Sequence, residues 1–216
     1  MAFTAADVIQ EFRDQHSVFS PEQTPDIVAI RHLARYTREL HARLVEKDSS
    51  LYATRQQVSM PLADFEAGIP LPDSVQLLGG TIIWIRPQDT TEPLQIVPWR
   101  NRQTPNVYSS AFRLGGALYL CGSASSWENA ARIDLYYVPE PVLPATYTDA
   151  VPLPDAAKTA CIYNLAAWAA RRITQPSETG PDVRGLERTY REVENELMVE
   201  VAQHSRSESS YVREEW

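Results

Sequence analysis

Residues able to do acid–base or metal chemistry are few in this chain, and they are scattered. The four histidines, His16, His32, His41 and His204, lie in or beside segments of helical period. None stands at a metal-ligand or nucleophile–base spacing. The densest carboxylates are Glu187, Glu192, Glu194, Glu196 and Glu200, with no histidine converging on them, and they read as a solvated helix face. Cys121 and Cys161 sit in apolar segments without ligand spacing, which predicts buried, reduced thiols. Gly115-Gly116 precedes neither a lysine nor a helix start, so it is no phosphate loop. Asp73 and Asp155 read as turn or helix openers. Arg31, Arg35, Arg38 and Arg43 read as solvated charges, or more weakly as a contact for an acidic partner. The expectation is a protein without catalytic residues, metal or cofactor.

Those residues need a scaffold, and composition bounds it. The chain has 216 residues, 44% of them hydrophobic, enough for a real core. Its net charge of −8 argues against a general nucleic-acid binder, whose surface should be basic. No run is long and apolar enough to span a membrane, and no basic–apolar–small signal opens the chain. Synthesis in a cytoplasm follows as the expectation.

The element around which the rest is arranged is Val151–Ile173. Pro154 or Asp155 can open a helix there, since a proline or an acid suits the free N–H end. Ala157, Cys161, Leu165 and Trp168 form one stripe, flanked by Ala156, Ala160, Ala167 and Ala170. A helix apolar over most of its girth is buried on several sides. This predicts the central helix of a bundle, with Trp168 against the last helix.

Three more helices are expected. Thr4 with Asp7 has capping-box spacing, and Val8, Ile9 and Phe12 follow on one face. Thr24 as cap and Pro25 at the first position open a second helix, with a stripe of Ile27, Ile30, Leu33, Ala34, Thr37, Leu40 and Leu44. Pro181-Asp182 opens the last, with a seam of Val183, Leu186, Tyr190, Val193, Leu197 and Val201. The helices are placed near 5–15, 25–47, 155–174 and 181–204. Beyond them, residues 205–216 are polar without period and predict a disordered tail that carries Tyr211, Val212 and Trp216.

Between these pairs the pattern changes. Of the 16 prolines, 12 fall between Pro61 and Pro154. Thr81–Arg86 and Leu94–Val97 read as strands. Ala111–Leu114 and Ala117–Leu120 around Gly115-Gly116 read as a tight hairpin. Ile133, Leu135 and Tyr137 alternate with Arg132, Asp134 and Tyr136, as in a strand with one buried face. Trp99–Ser110 reads as a long exposed loop. The fold class expected is therefore α+β, a mainly α-helical bundle with an inserted small antiparallel β region and a flexible C-terminal tail. Residues 1–49 and 151–204 form the bundle, 50–150 the insertion and 205–216 the tail.

Several phrases occur in a suggestive order. Asp26–Leu33 (DIVAIRHL) comes early, and Leu71-Pro72-Asp73 stands before the insertion. Leu135–Pro139 (LYYVP) closes it, and Leu153-Pro154-Asp155 opens an alanine-rich helix before a last amphipathic one. In layout the chain resembles the head–tail adaptor (connector) proteins of tailed bacteriophages, including the tail tubular A-like gatekeepers. The resemblance implies a non-enzymatic virion protein, made in the bacterial host cytoplasm. It would form a ring, a dodecamer in that family, between the portal protein and the tail or nozzle protein. DNA would pass through without specific binding, and no membrane is involved. An acidic wall suits that passage, because it repels phosphate and leaves the duplex free to slide.

The resemblance also assigns contacts. The tail residues Tyr211, Val212, Arg213 and Trp216 would bind portal. The contact of the β insertion is read instead from the long polar loop Trp99–Ser110, whose length has no visible internal reason: Trp99, Arg100, Arg102 and Tyr108 would meet the tail or a neighbouring subunit. Two rival readings stand beside it. One is another phage structural part, a tail terminator or baseplate subunit. The other is a glycan-binding β module, with stacking surfaces from Trp84, Trp99, Trp127, Tyr108 and Tyr119.

Overall fold

The computed structural model describes residues 3–59, 66–71, 81–87, 94–101, 110–122, 132–172 and 182–211, with the backbone alone at 81–87, 101 and 205–211. Four α-helices and seven strands occur among them, in the α+β arrangement that the hydrophobic periods predict. The helices are α1 (Ala5–Gln15), α2 (Asp26–Lys47), α3 (Lys158–Arg172) and α4 (Val183–Tyr211). The strands are β1 (Thr54–Ser59), β2 (Ile69–Pro70), β3 (Thr81–Pro87), β4 (Gln95–Ile96), β5 (Ser110–Leu114), β6 (Ala117–Leu120) and β7 (Arg132–Val138). The chain divides into two compact units, residues 1–48 with 141–216, and residues 49–140.

In the helical unit α1 starts at the expected capping box. Thr4 Oγ1 accepts from the Asp7 N–H at 3.2 Å, and the Thr4 N–H donates to Asp7 Oδ2 at 2.7 Å. The free N–H groups of the first turn, at Ala5 and Ala6, donate to the carbonyls of Asp149 and Tyr147 at 2.9 and 2.8 Å. The Val151 N–H donates to the Phe3 carbonyl at 2.9 Å. These bonds bind residues 141–150 to the helices, although the proline pattern had placed that segment with the β insertion. Asp149 shapes it, accepting from the N–H groups of Ala145 and Thr146, both at 2.8 Å.

The start of α2 departs from expectation. Pro25 occupies the N-cap position with no side-chain cap, and Thr24 is buried. Asp26 instead pairs with Arg13 of α1, whose guanidinium also donates to the Thr24 carbonyl at 3.3 Å. The buried face of α2 is Ala29, Ile30, Leu33, Tyr36, Thr37, Leu40, His41 and Leu44, while Ile27 is exposed.

One 3₁₀ turn, Asp155–Ala157, leads into α3, which is buried nearly all round through Ala160, Cys161, Ile162, Leu165, Ala166, Ala167, Ala169 and Ala170. Alanine at so many buried positions lets neighbouring helices approach closely, and the large indole of Trp168 lies at the rim. Trp168 is half-buried and stacks on His32 of α2, centroids 4.3 Å apart and planes within 11°. The Arg172 guanidinium lies 5.1 Å from the same ring. That corrects the expectation of burial against the last helix.

The Asp182 carboxylate caps α4, accepting from the Gly185 N–H at 3.0 Å. Of the predicted seam, Leu197 and Val201 are buried and Val183, Leu186, Tyr190 and Val193 half-buried. The helix runs 29 residues, through Tyr211, so residues 205–211 are helical where a structureless tail was expected. SRSESSY contains no glycine or proline to stop a helix already under way.

The β unit has two sheets, β1-β7-β3 and β2-β6-β5-β4. Their shared core is Ile69, Leu71, Leu94, Ala111, Leu118, Leu120, Ile133, Leu135 and Tyr137, with Val58 packed against it. The β5–β6 hairpin turns at Gly115-Gly116, with positive φ at Gly115 (59°), as a two-residue loop demands. All pairs are antiparallel except β4 with β5, which are parallel, so the region is mixed rather than wholly antiparallel. β1, TRQQVS, shows no apolar alternation of its own and is a polar edge strand whose partner β7 supplies the apolar residues. Asp134 of β7 is buried rather than solvent-facing, accepting from Arg55 at 2.9 Å.

Candidate functional site

The most developed polar constellation lies within the helical unit, where α2, α3 and α4 meet. Tyr36 and Arg43 are seven residues apart on α2, and Tyr190 and Glu194 four apart on α4, so each pair shares a helix face. Packing brings the two faces together. Glu194 Oε1 accepts from the hydroxyls of Tyr36 (3.0 Å) and Tyr190 (2.7 Å) and from Arg43 Nη2 (2.6 Å). Its Oε2 accepts from Arg43 Nη1 at 2.8 Å, completing a bidentate pair. The tyrosine rings meet edge to face, centroids 5.9 Å apart.

Electrostatics follow from this geometry. Burial opposes ionisation of Glu194, but bonds from Arg43, Tyr190 and Tyr36 outweigh it and hold the carboxyl below its usual range. Burial, then the neighbouring Tyr190 and Glu194, push the Tyr36 hydroxyl far above its ordinary value. Arg43 is raised, chiefly by its bonds to Glu194. Both tyrosines are thus fixed as donors and Glu194 as an acceptor. Chemically this is a clamp between α2 and α4, with every partner committed.

Beside the clamp opens a cleft of about 360 Å³, lined by His32, Arg35, Tyr36 and Glu39 of α2, Asn164, Ala167, Trp168 and Arg171 of α3, and Tyr190 of α4. His32 Nε2 donates to Asn164 Oδ1 at 2.8 Å while its ring stacks on Trp168. Burial depresses its pKa, and the positive charges of Arg35 and Arg171 lower it further, against the Asn164 bond and the Glu39 charge. Both arginines bind an adjacent carboxylate through Nε, Arg35 to Glu39 at 3.0 Å and Arg171 to Glu187 at 2.6 Å. Their Nη groups have no further partner among the described residues. Two guanidinium groups on one cleft can hold an anionic group.

By sequence alone Arg43 and Glu194 read as charges on solvated helix faces. The available signal was spacing alone, Tyr36 to Arg43 and Tyr190 to Glu194, and nothing local says that the two faces meet. Of the residues expected to form the tail-contact loop, Trp99 and Arg100 stand on a 3₁₀ turn, Trp99–Asn101, with Trp99 46% exposed. Arg102 and Tyr108 lie outside the described residues, as do Val212, Arg213 and Trp216 of the expected portal contact. Tyr211 is the last residue of α4. Of the aromatics weighed for glycan stacking, Tyr119 stacks on Phe112 at 5.2 Å, within the hairpin. Cys161 is buried, and burial pushes its thiol pKa up, while Cys121 is buried in the β unit.

Among the described residues no group of three His, Cys, Asp or Glu side chains could hold a metal ion. No helix among them is long and apolar enough to cross a membrane. No protein-family model and no curated protein matches the chain.

Proposed function

We propose that the chain is a structural adaptor of a tailed-bacteriophage virion, a ring component between portal and tail through which DNA passes. The observation that carries this reading is the division of the chain. Helices from its two ends gather into one unit, and residues 49–140 form a separate β unit, which is the layout of the family that the short phrases resemble. The net charge of −8 fits a conduit for DNA. The 29-residue α4, about 43 Å long at 1.5 Å per residue, outruns the 22-residue α2 and carries the Tyr211 backbone to a distance from the bundle core. In this reading Tyr211, Val212, Arg213 and Trp216 dock on the portal, with the aromatic side chains as anchors. Trp99, Arg100, Arg102 and Tyr108 contact the tail or a neighbouring subunit. The role is mechanical and requires neither cofactor nor catalysis.

The test is the native mass of the purified protein, alone and with portal rings from the same phage. The adaptor reading expects a stoichiometric ring on each portal. A protein that leaves portal bare at saturating concentration overturns it.

A further inference from the structure

Helices α2 and α4 run parallel, since Tyr36 meets Tyr190, Arg43 meets Glu194 and His204 approaches Asp48 within 4.0 Å. Taking the faces that meet at Tyr36 and Glu194 as zero, outward positions follow at about 100° per residue. On α2, Arg31 and Arg38 fall about 200–220° round, opposite the face that meets α4, with Arg35 at about 260° on the flank beside the cleft, and all three are exposed. On α4, Glu192, Glu196 and Glu200 fall about 160–240° round, opposite the face that meets α2, and are exposed too. Two rows of opposite sign thus point away from each other on the same unit, each with three- or four-residue spacing.

Part of this charge is satisfied within the chain. Arg35 pairs with Glu39, and Arg188 with Glu192. Arg31, Arg38, Glu196 and Glu200 have no ion partner among the described residues. Each row also carries an exposed aliphatic residue, Ile27 (58%) beside the arginines and Val199 (55%) beside the glutamates. On the arginine side Arg35 stands at the rim of the cleft, and Arg171 of α3 lines the same cleft.

We infer that the arginine row of one copy docks on the glutamate row of the next. Opposite rows on opposite faces make a heterologous, head-to-tail contact, which propagates from copy to copy and closes where the rotation allows. Two like copies facing through the same row would instead juxtapose like charges. The partner for the basic face is therefore a second copy of this chain, recognised through its carboxylates, with Ile27 and Val199 supplying apolar contact at the two rows. The inference deepens the ring reading above by naming its subunit contact.

Its test needs only the purified full chain. Sedimentation should show self-association at low ionic strength that weakens as salt rises from about 0.05 to 0.5 M, because the screening length shortens from above about 10 Å to a few ångströms over that range. Arg31→Glu with Arg38→Glu makes both faces acidic, and Glu196→Lys with Glu200→Lys makes both basic. Each double variant alone should sediment as a monomer with an unchanged melting temperature, and an equimolar mixture of the two should associate again. Self-association that survives either reversal overturns the contact, as does a mixture that stays monomeric or a wild-type chain monomeric at every salt and concentration. Failure on portal with successful complementation removes the adaptor reading alone. Portal rings that bind either double variant at full occupancy remove the contact alone.

Discussion

Glu194 is the most consequential single side chain described, because three donors from two helices converge on its two oxygens. Its side chain is 13% exposed and that of Arg43 43%, so solvent moderates the pair without dissolving it. Glu194→Ala leaves Arg43 and two tyrosine hydroxyls without their acceptor. It should destabilise by about 2–3 kcal/mol in urea unfolding, against about 1 kcal/mol for Tyr36→Phe. Equal and negligible losses would show the clamp to be idle. Protonation provides a second check at this scale. Burial holds His16, His32 and His41 below the ordinary imidazole value of 6.5, so the unfolded chain takes up protons first as pH falls. Stability should drop below about pH 6.5. A second loss belongs to Glu194, whose depressed pKa stabilises the fold above the ordinary value of 4.5 and stops doing so as pH falls through the folded value. Melting temperature against pH should therefore fall in two stages; a flat profile from pH 7 to 5 contradicts the histidine part.

Individual elements differ in how much they rest on one residue. In α3 the alanines and Leu165 carry the packing, and Trp168 lies at the rim against His32. Trp168→Ala should cost about 1–2 kcal/mol, the scale of an aromatic pair with partial burial, whereas Phe12→Ala in α1, fully buried, should cost about 3–5 kcal/mol. The ordering of the two in chemical denaturation is the measurement, and a reversed order contradicts the packing described. In the β unit Gly68 precedes β2 with φ of 74°, and a Cβ there would come within 2.9 Å of the Tyr119 ring and 3.0 Å of the Leu118 carbonyl oxygen. Gly68→Ala combines backbone strain with a clash and should destabilise by more than about 1 kcal/mol. Gly115, with open space around it, tests the conformational part alone.

For the whole molecule the informative change is at the C-terminus. The last buried residues described on α4 are Leu197 and Val201. A chain ending at His204 keeps them and should melt within about 2 °C of the full chain, since nothing known to be in the core is removed. Under the adaptor proposal it loses portal binding, and DNA-filled heads leak. Full occupancy of portal by the shortened chain, measured by co-sedimentation, would move the anchor elsewhere. This experiment bears on the docking end only, and the charge-row experiment on the flanks, so the two results are independent.

What the sequence by itself determined is whatever short-range chemistry controls. The capping box at Thr4, the helical stripes and the glycine hairpin at Gly115 depend on neighbours within four residues, and the helices lie within a few residues of where the periods put them, except that α4 runs on to Tyr211. Tertiary structure decided what depends on partners far along the chain. Arg43 and Glu194 look like any solvated charges until helices 151 residues apart are packed. Residues 141–150 look like the end of the proline-rich region until their carbonyls are needed by the open N–H groups of α1. Asp134 occupies an outward position in an alternating strand, yet β1 and β3 flank it and Arg55 reaches it. Trp168 belongs to the apolar stripe by type, but close helix approach is reserved for the smaller side chains. In each case a local pattern states which residues can be buried, and only the assembled neighbours set which are.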